Sequence, residues 1–90
     1  MATASLSVRY SPQPLGPPEL AFAIGRQFGS AVTRNRLRRQ LRAAFRALAL
    51  EGRVPAGSYL LMPKPEAITL SYETLKMTLL DLLHQCEKTR

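Results

Sequence analysis

The 90-residue sequence has little of what secreted, membrane-embedded or metal-binding proteins require. It contains a single cysteine, Cys86, so no internal disulfide can form, and it contains no tryptophan. The N-terminus has no signal-peptide pattern, and no apolar run approaches the ~20 residues of a membrane span. We therefore expect residues 1–90 to form one small soluble domain with a modest core, in the reducing environment of the cytoplasm.

Groups that support catalysis by side chains are also missing. No nucleophile lies beside a base, and the carboxylates of the second half are spaced as on a solvated helix face. His84 and Cys86 point in different directions on a helix, so we interpret them as a surface histidine and a buried cysteine, not as half of a zinc site. Gly25 and Gly29 precede a helix but form no nucleotide-binding fingerprint. The sequence predicts no catalytic residue and no metal bound by the protein alone.

Acidic residues are absent from Leu20 to Leu50, and this stretch carries most of the positive charge. The net charge of +7 comes from residues 1–50, which hold eight arginines and one acid, Glu19. Six of these arginines occur in the fourteen residues from Thr33 to Arg46. Guanidinium groups pair well with phosphate oxygens, so the distribution favours a polyanionic partner. Charge alone does not distinguish RNA from DNA or from an anionic membrane.

The helical period divides the arginine-rich stretch into two faces. The apolar stripe comprises Leu37, Leu41, Ala44, Phe45 and Leu48, and the basic face comprises Asn35, Arg38, Arg39, Arg42 and Arg46. Like charges at i and i+4 cost a few tenths of a kcal/mol per pair, which indicates a partner that neutralises them. We predict that Thr33 caps this helix, that Val32 and Leu37 form a hydrophobic staple, and that the helix ends near Leu50.

The remaining pattern predicts three strands and a second helix. Alternation places strands at residues 5–10 and 20–24, with Ser7 and Arg9 on the face opposite Leu6, Val8 and Tyr10. The run 58–62, between a glycine and a proline, predicts a third strand that is largely buried. Residues 11–18 are predicted to be a proline-rich loop. Ser71 is the predicted cap of the last helix, whose apolar face comprises Tyr72, Leu75, Leu79, Leu82, Leu83 and Cys86. The order ββαβα predicts an α+β, two-layer sandwich with both helices on one face of a small mixed sheet.

One longer pattern is more specific than charge or periodicity. Between Phe22 and Arg46, a strand and a glycine bend are followed by Gly29-Ser30-Ala31-Val32 and then by Arg34-Asn35-Arg36. This order, at unbroken spacing, resembles the signature of the bacterial ribonuclease P protein subunit. Tyr59–Pro65 and Leu70–Glu73 resemble later parts of the same family, so the resemblance spans residues 5–86 of a single RNA-binding domain.

The resemblance implies a four-stranded sheet with an unusual left-handed βαβ crossover. It also implies that the chain is the accessory subunit of a ribonucleoprotein endoribonuclease, with the catalytic RNA and precursor tRNA as partners. In that family the RNA, with bound Mg²⁺, hydrolyses the bond that releases the 5′ leader of the precursor. No cofactor is therefore expected on the protein alone, and catalytic side chains are not required.

The resemblance also implies site residues. By position, the expected contacts to the catalytic RNA are Arg26, Arg34, Asn35, Arg36, Arg38, Arg39 and Arg42, and periodicity alone adds Arg46 to the same face. The family holds the single-stranded leader in a cleft on the open face of the sheet, where alternation places Arg9 and Ser7. Gln27 stands where the family usually has a second basic residue, which removes one expected phosphate contact.

The start of the chain departs from the family pattern. Family members usually begin with a further helix whose aromatic side chains form a wall of the leader cleft, and this chain starts almost at its first strand. Either the sequence is truncated at its start, or the chain is a short variant with a weakened grip on the leader and a partly uncovered sheet. An uncovered sheet face predicts self-association or marginal stability.

The alternative function is a general nucleic-acid-binding module that places its basic helix in the major groove of DNA. A nuclease that needs no RNA is a third reading, which the sequence disfavours.

Overall fold

A small mixed sheet and two long helices make up the described part of the computed structural model, which is residues 2–3, 5–13, 18–25 and 28–88. In chain order the elements are β1 (Leu6–Pro12), β2 (Glu19–Phe22), α1 (Ala31–Leu50), β3 (Gly57–Pro63), a 3-10 helix (Pro65–Thr69) and α2 (Tyr72–Lys88). The predicted order ββαβα is confirmed, with the 3-10 helix as an addition that the sequence pattern did not indicate. Among the described residues, neither helix combines the length and apolarity that crossing a membrane requires.

The sheet has the strand order β1-β3-β2. β1 runs antiparallel to β3, with Val8 opposite Leu61, whereas β2 runs parallel to β3, with Leu20 opposite Tyr59. A parallel pair requires a crossover between its strands, and α1 supplies it. The implied fourth strand is wrong for the described residues, because the segment before β1 pairs only through one bridge, Ala2 with Ser7. The left hand of the crossover stays a prediction.

The first two strands differ from their predicted bounds at the ends. β1 continues through Ser11 and Pro12, which were predicted to begin the loop, because both residues pair with the start of β3. A proline is tolerated there, since β1 is an edge strand and Pro12 is its last residue. β2 ends at Phe22, although the Ala23 N–H still donates a 3.0 Å hydrogen bond to the Leu61 carbonyl. Residues 14–17 of the predicted loop lie outside the described residues.

The core lies between one face of the sheet and the two helices. The buried residues of α1 are the predicted stripe of Leu37, Leu41, Ala44, Phe45 and Leu48. α2 buries Leu75, Leu79, Leu82, Leu83 and Cys86, whereas Tyr72 is only half-buried. On the sheet, Tyr59 is 1% exposed and meets the Phe45 ring edge-on at a centroid distance of 5.4 Å. These contacts confirm the two-layer α+β architecture.

Helix α1 begins earlier than predicted. Ser30, not Thr33, is the N-cap: its hydroxyl accepts a 3.3 Å hydrogen bond from the Thr33 backbone N–H. Gly29, at a φ of +86°, provides the turn that brings Ser30 into this position. The predicted staple is therefore wrong, and Val32 lies inside the helix with 77% of its surface exposed. At α2 the predicted cap is confirmed, because the Ser71 hydroxyl accepts from the Thr74 N–H at 3.2 Å.

The end of α1 agrees with its predicted position and adopts a Schellman motif. The Gly52 N–H donates to the Ala49 carbonyl, and the Arg53 N–H donates to the Leu48 carbonyl, both at 3.0 Å. Gly52 has a φ of +72°, which is why a residue without a side chain terminates the helix at this point. The chain then turns back toward the sheet.

Gly57, the first residue of β3, provides a test of the strand pairing. Its φ is +153°, and an added Cβ would lie 2.5 Å from Tyr10 Cε1 and 2.8 Å from the Ser11 carbonyl oxygen. We expect Gly57→Ala to lower the free energy of unfolding by about 2–4 kcal/mol, because backbone strain and a clash add together. Urea denaturation measures this. Gly52→Ala is the control: it meets no neighbour within 4 Å and should cost only about 1 kcal/mol. Equal losses would contradict the close packing of β1 on Gly57.

Candidate nucleic-acid interface

The basic face of α1, defined as Asn35, Arg38, Arg39, Arg42 and Arg46, is directed away from the core. Four of these side chains are exposed, and Arg38 is half-buried. Burial of the apolar stripe on the opposite side causes this orientation, since the two faces belong to one rigid helix. At 1.5 Å per residue, the face extends about 17 Å along the helix, which suits several consecutive phosphates. The structure thus brings together the five residues that periodicity assigned to one face.

Among the described residues, no acidic side chain pairs with the arginines of this face. In the part of the chain that the structure describes, the salt bridges both involve Glu51, which pairs with Arg53 at 3.2 Å and with Lys76 at 3.4 Å. No arginine of α1 takes part in either bridge. Apart from one hydrogen bond each from Arg36 and Arg38 to neutral oxygens, the arginines of α1 keep their donors for an external acceptor in the described structure.

Asn35 orients one arginine of the basic face. Its Oδ1 accepts a 2.8 Å hydrogen bond from Nη1 of Arg38, one turn further along the helix. This bond restricts the long Arg38 side chain, so less rotamer freedom is lost when the guanidinium meets a phosphate. The amide is therefore a positioning group as well as an expected RNA contact.

Arg36 lies apart from the basic face, although the family pattern groups it with those residues. It precedes Arg42 by six residues, which separates the two by about 120° around the helix. Its Nη2 donates a 3.1 Å hydrogen bond to the Ile68 carbonyl and ties α1 to the 3-10 helix. The side chain remains exposed, so its other donors are accessible. Sequence reasoning missed this contact because nothing in the pattern indicated the 3-10 helix.

Of the two remaining predicted RNA contacts, Arg34 and Arg26, the structure describes only Arg34. Arg34 is half-buried beside the apolar stripe, as the helical wheel predicts. Arg26 lies outside the described residues, as does the neighbouring Gln27. The assignment of Arg34 and Arg26 as RNA contacts stays a prediction.

Arg42 has a second neighbour that the sequence did not reveal. Its guanidinium carbon lies 5.4 Å from the centre of the Phe22 ring, at the end of β2. A cation over an aromatic face at this distance is attracted by about 0.5–1 kcal/mol when exposed. The contact fixes Arg42 near the edge of the sheet. It depends on the crossover, which places β2 beside α1.

The sheet face opposite the helices contains the predicted leader-contact residues. Arg9 is exposed and Ser7 is half-buried, whereas the alternating Leu6 and Val8 are 0% and 2% exposed in the core. In the sheet, Arg9 is opposite Leu60 of β3, which in turn is opposite Ala21 of β2. Arg9 therefore adjoins a row of small and apolar side chains across the open face.

The described residues of the second half form no cluster of metal-binding or reactive side chains. Among the described residues, no three histidine, cysteine or acidic side chains lie close enough to hold a metal ion. His84 is exposed, and Cys86 is 0% exposed inside the core. Burial raises the pKa of the Cys86 thiol above its ordinary value, which keeps it protonated and unreactive near neutral pH.

Comparison with known proteins identifies the family. The family model described as Ribonuclease P matches residues 1–87. The chain belongs to the bacterial-type ribonuclease P protein family. It is 37% identical over 75 residues to the ribonuclease P protein component of Thermobifida fusca (strain YX), an alignment that covers 82% of this chain and 50% of that protein. The chain thus spans about half the length of this relative.

Solved structures of ribonuclease P proteins share the fold. The protein from Thermotoga maritima superimposes with a TM-score of 0.84 at 24% identity, over 94% of this chain and 80% of that one. The Staphylococcus aureus protein gives a TM-score of 0.78 at 17% identity, over 98% and 79% of the two chains. At these identities the likeness establishes the fold of the family rather than the role of any one residue.

Arg36 and Arg39 allow a test of the two kinds of arginine on α1. We expect Arg36→Ala to lower the free energy of unfolding by about 0.5–1.5 kcal/mol, because the bond to the Ile68 carbonyl is lost. Arg39→Ala removes the same charge from an exposed position without a hydrogen bond to the described residues and should change stability by less than about 0.5 kcal/mol. Denaturant unfolding of both variants measures the difference. Equal stabilities would show that the Arg36 contact contributes nothing.

Proposed function

We propose that this chain is the protein subunit of ribonuclease P and that it binds the catalytic RNA through the basic face of α1. The observation that carries the proposal is the exposed row of arginines without an acidic partner in the described structure. Family membership makes the catalytic RNA the expected polyanion. Phosphate contacts of this kind supply affinity and set orientation rather than read sequence.

In this proposal the RNA performs the chemistry. The assembly removes the 5′ leader of precursor tRNA and leaves the mature 5′ end. Mg²⁺, bound through the RNA, would supply the activated water and stabilise the leaving oxygen. The arginines of α1 do not compete with the RNA for this ion, because like charges repel. Their part is to neutralise phosphates and so to bring RNA strands into close approach.

We further propose that the open face of the sheet contacts the single-stranded leader. Arg9 supplies a cation for its phosphates and Ser7 supplies a hydroxyl, while Leu60 and Ala21 provide apolar surface beside them. Single-stranded RNA binds where cationic groups follow the backbone and side chains support the bases, most strongly when those side chains are aromatic. This surface and the basic face of α1 lie on different sides of the domain, which allows one chain to contact both RNAs.

The basic face predicts a specific salt dependence. If about five phosphates are neutralised, affinity for a bacterial ribonuclease P RNA should fall about 100-fold between about 50 and 200 mM salt. The double variant Arg39→Ala, Arg46→Ala should bind more weakly and should reduce the slope of log affinity against log salt by about 1.4, because two phosphate contacts are lost. A filter-binding series at several salt concentrations measures both quantities.

The matched control removes the same charge elsewhere. Arg53 and Lys88 lie outside the basic face, and the exposed Arg53–Glu51 bridge should contribute little to stability. The double variant Arg53→Ala, Lys88→Ala should therefore retain most of the affinity and of the salt slope. Identical behaviour of the two double variants would refute the assignment of the basic face. Equal affinity of the unaltered chain for duplex DNA and for the catalytic RNA would instead favour a general nucleic-acid-binding module.

Arg9 tests the leader contact. In a reconstitution with bacterial ribonuclease P RNA at low Mg²⁺, we expect the unaltered chain to stimulate 5′ processing of precursor tRNA. Arg9→Ala should raise the KM several-fold for a precursor with a long leader and leave it unchanged for one with a single-nucleotide leader, because only the long leader reaches the sheet. Arg53→Ala is the control. An equal effect on both precursors would show that Arg9 acts elsewhere, and no stimulation by the unaltered chain would refute the function itself.

A further inference from the structure

A groove of about 320 Å³ lies between the edge strand β2 and the outer side of α1. We name it the β2–α1 groove, and its lining residues are Pro18, Leu20, Arg42, Phe45, Arg46 and Ala49. Its volume is at the lower end of the range of ~300–1,000 Å³ that small-molecule sites occupy. It is separate from the open sheet face, because Leu20 is opposite Tyr59 and therefore points to the helix side of the sheet.

The lining of the groove divides into an apolar part and a cationic part. Leu20, Phe45 and Ala49 present carbon atoms, and Phe45 is 6% exposed, so its edge forms a fixed wall. Arg42 and Arg46 are exposed. Arg42 is also held by its contact with the Phe22 ring at 5.4 Å, which keeps a guanidinium group at the groove.

Charge selects among possible occupants. Among the described residues, no acidic side chain lines the groove. Glu19 alternates with Leu20, so it points to the opposite face of the sheet. A neutral apolar ligand would leave Arg42 and Arg46 without acceptors, whereas a simple anion would leave the apolar wall in water. A ligand with a flat, largely apolar ring and an attached phosphate satisfies both parts. Proteins hold unstacked bases between aromatic or apolar side chains, or against the plane of a guanidinium group.

We propose that the β2–α1 groove binds one unpaired nucleotide of the partner RNA, with the base against Leu20 and Ala49 and the phosphate on Arg42 and Arg46. The inference rests on the proposed binding of the catalytic RNA by α1 and adds a feature to it. A row of arginines alone would accept any phosphate backbone. The groove makes α1 prefer RNA that presents an unstacked base at this point, which is a property of single-stranded loops and bulges rather than of duplexes.

The first test uses the unaltered chain and two small probes. Adenosine 5′-monophosphate contains a base and a phosphate, whereas ribose 5-phosphate contains only the sugar and the phosphate. In methyl NMR spectra, we expect the nucleotide to shift the signals of Leu20 and Ala49 through the ring current of the base, and we expect ribose 5-phosphate to leave them in place. Equal shifts from the two probes, or no shift from either, would overturn the proposal.

The second test fills the groove without changing charge. Ala49→Leu adds a side chain among the lining residues, and Ala43→Leu makes the same change at an exposed position of α1 outside the groove. We expect Ala49→Leu to weaken binding of bacterial ribonuclease P RNA about 10-fold relative to Ala43→Leu, the size of one lost stacking contact. The salt slope should stay the same, because both arginines remain.

The outcomes separate this inference from the proposed function. If the unaltered chain binds the catalytic RNA no better than duplex DNA, the proposed function fails. If it retains that preference while Ala49→Leu binds as tightly as Ala43→Leu, only the groove is refuted. Thermal unfolding of both variants shows whether the substitutions are tolerated. The probe titration does not depend on them, so a folding defect in Ala49→Leu would still leave the proposal open to refutation.

Discussion

Burial of the apolar stripe of α1 against Tyr59 and α2 is the constraint on which the rest of the structure depends. Each large apolar side chain that becomes fully buried contributes about 1.5–3 kcal/mol, so the stripe outweighs the few tenths of a kcal/mol that each repelling arginine pair costs. The helix cannot rotate without exposing Leu41 or Phe45. Its arginines therefore face outward even though they repel one another. A bound polyanion would neutralise their charges and remove this repulsion.

The same packing positions both surfaces of the proposed function and the β2–α1 groove. The parallel pairing of β2 with β3 obliges α1 to cross the sheet, and the crossover places Phe22 beside Arg42 and opens the β2–α1 groove. With both helices on one side, the other face of the sheet is left to Arg9 and its apolar neighbours. The domain thus presents cations in two directions from one small core. Such an arrangement is compatible with the two RNA contacts proposed above.

Periodicity predicted most of the architecture because burial on one side leaves a regular trace in the sequence. The buried stripe of α1 and the strand-face assignments in β1 were recovered, and the hydroxyl predicted to cap α2, that of Ser71, does so. The errors lie where local alternatives have similar energies. Ser30 and Thr33 both carry a hydroxyl that can cap a helix, and the family pattern implied a strand that the described residues lack. Pro12 joined β1 because an edge strand tolerates a missing N–H at its end.

The sequence by itself determined that α1 has one apolar and one basic face and that the chain belongs with the ribonuclease P proteins, since both follow from the order and spacing of residues. Only the tertiary structure separated the arginines by role. Arg36 binds the carbonyl of Ile68, Arg38 is oriented by Asn35, and Arg42 lies over Phe22. Two of these partners are distant along the chain, and one belongs to a 3-10 helix that left no periodic signal. Contacts between distant segments depend on how the elements pack, which local spacing does not encode.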